Sequence, residues 1–207
     1  MTTSGNDAVL VERRDHVMIV TINRPEARNA VNAAVHEGVG DALEAADADP
    51  EIRCVIVTGA GDKAFCAGAD LVALSRGERL APDDAAKQAW GFAGIVSHPI
   101  STPVIAAVNG SALGGGLEIA LSCDLIVAGE GALLGLQEVS VGVIPGGGGT
   151  QLLTRRIGWS RAARAIFTAA KYPAPEAAEL GIVDELVAAG SARERALELA
   201  ATIGAHS

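Results

Sequence analysis

The chain has 207 residues, a formal charge of −9, 49% hydrophobic residues and 20% charged residues. That hydrophobic share excludes a disordered chain and suffices for one substantial core. The acidic balance weighs against non-specific binding to nucleic acid or anionic membrane, since both need a positive field, yet a few local cations can still meet an anionic small ligand.

The opening segment MTTSGNDA is polar and lacks the basic, apolar and small-residue layout of a secretory signal. Residues 16–22 (HVMIVTI) are rich in β-branched side chains and stop at the turn signal Asn23-Arg24-Pro25, which predicts a strand. A helix is expected over 32–48, with Asn32 as its N-cap and Val35, Val39 and Leu43 along one face. Residues 53–58 (RCVIVT) read as a buried strand closed by Gly59-Ala60-Gly61. A second helix is predicted over 82–97, ending before Pro99. A strand follows at 104–108, stopped by Asn109-Gly110.

Beyond the glycines at 114–116 the pattern predicts a helix to Ser122 and a strand at 124–127. Helices at 150–157 and 160–170, a Pro-rich turn and a short helix at 176–180 come next. A strand at 182–186 and a terminal helix at 191–203 close the chain. Strands alternating with helices make this an α/β chain. The apolar run 104–128 is long enough to raise a membrane span, but Asn109, Glu118 and Asp124 within it mark a buried element of a soluble protein. Leu197, Leu199 and Ile203 are expected to present apolar surface that nothing later in the chain covers. Cys54, Cys66 and Cys123 are odd in number, flanked by hydrophobic residues and without metal-ligand spacing, as buried reduced thiols of a cytoplasmic protein would be.

Several motifs carry less than they first suggest. Residues 59–64 (GAGDKA) follow a strand and fit a dinucleotide fingerprint, but Phe65-Cys66-Ala67-Gly68 is a poor helix start. Gly146 to Gly149 lack the Lys-Ser/Thr of a Walker loop. His16, His36, His98 and His206 have no spacing that suggests a triad or a metal site.

Two glutamates stand out. Glu118 and Glu138 each place a carboxylate in a glycine-dense, otherwise apolar run, and a lone buried carboxylate is costly unless paired or titrated. General acid–base chemistry accounts for both. If Gly114 opens a helix, the first amides lack internal partners, and glycine lets a ligand oxygen approach them. Gly115 and Glu118 then share a face, with the carboxylate hanging near the Gly115 amide and Leu113, Leu117 and Leu121 forming a separate apolar stripe. From spacing alone, a solvent-facing Glu118 on a glycine-packed helix fits equally well. A second donor is offered by the small residues 64–70, although spacing there favours Asp70 as a plain N-cap.

NRPEARNA (23–30), AFCAGADL (64–71), PVIAAVNGSALGGGLEIALSCD (103–124) and QEVSVGVIPGGGGTQ (137–151) together resemble the enoyl-CoA hydratase/isomerase (crotonase) family, in family order. The resemblance covers 9–203. It implies an α/β spiral of stacked ββα units as a single domain over 1–207, with a core at 8–190 and the start of a C-terminal helical region at 191–207. Family members continue into further C-terminal helices beyond the position of Ser207, which help form a trimer and enclose the acyl-CoA. The chain is expected to lack them. The resemblance implies an acyl-CoA thioester substrate bound with no separate cofactor and no metal, and assembly as a homotrimer or a dimer of trimers.

By motif position, the amides of Ala69 and Gly115 would form an oxyanion hole, with Gly114 beside them. Ala67, Gly68, Asp70 and Leu71 would line the adenine and pantetheine path, and Arg24, Arg28 and Lys63 are candidates for phosphate contacts. Glu118 and Glu138 match both catalytic positions of the family hydratases, which implies hydration of a trans-2-enoyl thioester. A double-bond isomerase, which needs only the carboxylate matching Glu138, and a non-catalytic acyl-CoA binder are the alternatives. The segment WGFAG (90–94) resembles members that hydrate crotonobetainyl-CoA.

Overall fold

The computed structural model describes residues 7–206 and the backbone of residues 2–3. Strand β1 (Thr2–Thr3) pairs with β2 (Val9–Arg14), which forms an antiparallel hairpin with β3 (Val17–Ile22). Helix α1 (Ala33–Ala48) opens as expected at Asn32, whose side chain accepts a hydrogen bond from Val35 N at 3.0 Å.

Three ββα-type turns follow. The first is β4 (Cys54–Gly59), β5 (Ala64–Cys66) and α2 (Leu71–Ser75), trailed by the short α3 (Ala85–Gln88). The second is β6 (Val104–Val108), β7 (Ser111–Leu113) and α4 (Gly115–Ser122). The third is β8 (Leu125–Gly129) and β9 (Leu133–Gly135), then a 3-10 turn at Glu138–Val141 and α5 (Gly149–Ile157). Helix α6 (Trp159–Phe167), β10 (Tyr172–Pro173), α7 (Ala174–Leu180), β11 (Glu185–Val187) and α8 (Ala192–Gly204) complete the order.

Each turn sends its first strand to one sheet and its second to another. The large sheet runs β1-β2-β3-β4-β6-β8-β11, parallel from β3 onward. The small sheet runs β10-β9-β7-β5. Side chains alternate across the large sheet with period two. Val55, Val57, Ala106 and Val108 enter the main core, while Cys54, Ile56, Ile105 and Ala107 enter a second cluster on the opposite face. A sheet buried on both faces needs strands that are apolar throughout, which is why the predicted strands at 53–58 and 104–108 stand out as unbroken apolar runs.

Three expectations are corrected. The helix predicted over 82–97 is cut to α3 and a 3-10 turn at Phe92–Gly94, with Gly91, Ala93 and Gly94 all at positive φ. Here packing against α1 overrides local pattern: Trp90 occupies the space over Gly40, and a Cβ on Gly94 would collide with the His36 carbonyl. The terminal helix does not project into solvent. Ala192, Ala196 and Ala200 seat α8 on the outer face of the large sheet, and Leu197, Leu199 and Ile203 pack half-buried against that cluster. Leu113 belongs to β7, so it does not extend a stripe on α4.

Candidate functional site

Glu118 sits in the first turn of α4 and is 3% exposed. Its carboxylate does not turn to the Gly115 amide as spacing suggested. Glu118 Oε1 accepts a hydrogen bond from Gly149 N at 2.8 Å, at the N-terminus of α5, where the helix dipole favours negative charge. The glycines of this loop let the carboxylate approach closely: a Cβ on Gly147 would stand 2.7 Å from Glu118 Oε2, and one on Gly149 would stand 3.0 Å from Oε1.

Glu138 comes to the same end of α4 from the turn after β9. The Gln137 side chain anchors that turn by donating to Ala169 O at 2.7 Å. Glu138 Oε1 lies beside Gly114, 3.3 Å from where a Cβ on that glycine would be. Both Glu138 oxygens are buried with no hydrogen-bond partner. Burial pushes both carboxyls above the usual 4.5. For Glu118 the Gly149 amide opposes that rise, and the neighbouring Glu138 charge adds to it. For Glu138 the nearby backbone amides of Glu138 and Gln137 oppose the rise.

The backbone amides meet the carboxylates here. Neither Ala69 N–H nor Gly115 N–H donates to any described residue. The two segments touch: a Cβ on Gly68 would be 3.0 Å from Gly115 N, and one on Gly116 would run into the Cys66 carbonyl. The unsatisfied Gly115 donor at the opening of α4 and the unsatisfied Ala69 donor in the loop packed against it make an arrangement able to bind an oxygen that gathers negative charge.

Loop 67–70 is held from below. Asp70 caps α2, accepting from Val72 N at 3.1 Å and Ala73 N at 3.0 Å, and pairs with Arg24 at 2.8 Å. The Ala73 amide first, and the Arg24 guanidinium with it, hold its carboxyl below the usual 3.8. Arg24 also donates to Ala30 O at 2.6 Å, so it braces the loop from inside. Arg28 and Lys63 are exposed and share the lining of a cavity of about 290 Å³ with Gly61 and Asp62. Ala67 and Leu71 lie at the exposed edge of the loop and Gly68 beneath it.

Two parts of the site were not singled out from sequence. The glycine run 146–149 carries the amide that holds Glu118, although it lacks any phosphate-loop signature. Phe92, inside the WGFAG segment, stands against both halves of the site: a Cβ on Gly115 would be 2.5 Å from its ring, and one on Gly147 3.1 Å from its Cβ. Among the described residues no group of three or more His, Cys, Asp or Glu is placed to hold a metal ion, and no helix is long and apolar enough to cross a membrane.

The sequence profile of enoyl-CoA hydratase/isomerase matches residues 12–207. The chain belongs to the enoyl-CoA hydratase/isomerase family. A carnitinyl-CoA dehydratase from Mycobacterium avium superposes with a TM-score of 0.93 at 52% identity, covering 97% of this chain and 77% of that one. The short-chain-enoyl-CoA hydratase of Clostridium acetobutylicum is 40% identical over 93% of this chain and 73% of its own length. The 2,3-dehydroadipyl-CoA hydratase of Escherichia coli is 39% identical over 96% of this chain and 76% of its own length. The two-sheet spiral of ββα turns is the crotonase fold.

Proposed function

We propose that the protein is an enoyl-CoA hydratase, adding water across the 2,3 double bond of a trans-2-enoyl-CoA to give a 3-hydroxyacyl-CoA. The observation that carries this reading is the pair of buried carboxylates at the opening of α4, Glu118 held by Gly149 N and Glu138 beside Gly114, with the Gly115 amide next to them unpartnered. A thioester carbonyl seated on the Ala69 and Gly115 amides develops enolate charge against fixed donors, and losing one such donor costs about 100- to 1,000-fold in rate. A water held between the two glutamates adds to C3. Glu118 takes its proton, and Glu138 delivers a proton to C2.

The surroundings support that division of roles. Glu118 Oε1 accepts from the Gly149 amide, which favours its ionised form, as a base needs; neither Glu138 oxygen makes such a bond, and the nearby amides of Glu138 and Gln137 only partly offset its burial, as suits an acid that holds its proton. The coenzyme arrives as part of the substrate, with Arg28 and Lys63 beside the cavity that would take its phosphates, and the reaction needs no metal or redox group. Exposed Val141, Ile144, Trp159 and Phe167 offer apolar surface for self-association, for which a homotrimer or dimer of trimers is proposed from the family resemblance. Three buried thiols without disulfides support a cytoplasmic location.

The test follows loss of the conjugated enoyl-thioester absorbance of crotonoyl-CoA. Glu118→Gln and Glu138→Gln should each lower kcat by about 100- to 10,000-fold. If Glu118→Gln leaves hydration intact, the two-carboxylate assignment falls; a protein that turns over a 3-enoyl-CoA in place of hydrating crotonoyl-CoA, and tolerates Glu118→Gln, is an isomerase.

A further inference from the structure

The loop between α3 and β6 is built more rigidly than a connection requires. Trp90 is stacked on His98, ring centroids 4.8 Å apart and 8° from parallel, and on His36 at 6.3 Å and 22°. The His98 side chain is fully buried, with Nδ1 2.8 Å from Gly94 O and Nε2 2.9 Å from Glu44 Oε1 on α1. His36 Nε2 lies 2.8 Å from Lys87 O, and Lys87 reaches Glu37 at 2.6 Å. The missing side chains of Gly40 and Gly94 let the loop press onto α1.

Within this strap, Ala93 is buried at 1% exposure and sits at φ 58°, ψ 16°. A residue with a Cβ is strained in the left-handed region, and such strain persists where the surroundings over-determine the backbone. What it achieves is local. The residue before Ala93 is Phe92, whose ring lies against Gly115, which carries an unpartnered amide, and whose Cβ lies against Gly147, which abuts the Glu118 carboxylate.

We propose that Phe92 is the specificity-determining residue of this site, its ring setting how large an acyl group can be taken. The inference rests on the acyl-CoA reading above. With the carbonyl on the two amides and C2–C3 between the glutamates, carbons beyond C3 must pass the ring. An aromatic side chain fixed by a stacked strap does not yield as a solvent-exposed loop would. The preferred substrates are therefore short or compact enoyl thioesters, and long straight chains are excluded by contact with the ring.

The experiment compares kcat/KM for trans-2-enoyl-CoA esters of four, eight and twelve carbons in the parent, Phe92→Ala and Phe92→Leu. The parent should favour the four-carbon ester. Phe92→Ala should raise the twelve-to-four-carbon ratio by about tenfold or more, with Phe92→Leu between. Circular dichroism reports folding, and Phe92→Leu decides the matter if Phe92→Ala does not fold. Calorimetric affinities for saturated acyl-CoA esters of the same lengths supply a second readout that does not depend on turnover. A parent that hydrates nothing defeats the hydratase reading, while the length dependence of those affinities still decides the role of Phe92. A parent indifferent to chain length, or variants whose ratio stays within twofold of the parent by either readout, overturns the proposal.

Discussion

Neither oxygen of Glu138 meets a donor, and both are shut from solvent, so the charged form of this side chain is the unfavourable one in the folded protein. The consequence for stability has a definite sign. Well below the usual 4.5, Glu138 is protonated in both folded and unfolded chains and contributes no difference. As pH rises past 4.5 the unfolded chain ionises first, the folded chain binds more protons, and the fold loses stability with rising pH. Glu138→Gln removes that titration. The variant should match the parent in acid and gain on it steadily toward neutral pH in urea unfolding. A stability gap independent of pH would mean that burial does not raise this carboxyl. The spacing of Glu118 and Glu138 made both residues legible as a pair, because glycine-rich apolar runs tolerate a charge only where it does something. Their partners were less legible. The amide that holds Glu118 lies 31 positions away at Gly149, and no local pattern announces it.

Among the elements, α2 shows how a five-residue helix is kept. Asp70 satisfies two of its leading amides and pairs with Arg24, whose guanidinium is itself largely buried. Asp70→Ala should cost about 2 kcal/mol at neutral pH, from the lost cap and from a stranded cation. The carboxyl is held below the usual 3.8, so this contribution is complete above that value and disappears as pH falls through the folded-state value. Denaturant melts of parent and variant should converge in strong acid; melts that stay equally far apart there would place the stabilisation elsewhere. The cap at Asp70 was readable, since a short polar residue before an apolar turn is a local signal. Its bond to Arg24 was not, being made across 46 positions. The same distinction explains the region after α3. A run of helix formers from 82 to 97 reads as one helix, yet the stacking of Trp90 between two histidines outweighs that propensity and turns the chain through three positive-φ residues.

Across the whole molecule, α8 lies flat on the outer face of the large sheet because its contact positions are alanines. Ala196 is fully buried there with Ile56, Ile105 and Val127 among the same cluster. Ala196→Leu forces extra volume between helix and sheet and should cost about 1–3 kcal/mol, lowering Tm without altering KM for the enoyl ester. A variant as stable as the parent would show that α8 is loosely seated. Ala196 belongs to the cluster on one face of the large sheet and α4, which carries Glu118, to the core on the other, so the two effects separate.

Alternation of strand and helix, the cap at Asn32, the bounds of β6 and α4 and the two acidic positions could all be read from the chain, because hydrophobic period, capping and glycine clusters are fixed by neighbours a few residues apart. The small sheet could not, since strands of two or three residues carry too few side chains for a period. The bracing of loop 67–70 by Arg24, the grip of Gly149 on Glu118 and the placement of Phe92 also emerged only in the folded chain. Each depends on contacts between distant segments, whose energies are settled when the sheets close and leave no mark on the local order of residues.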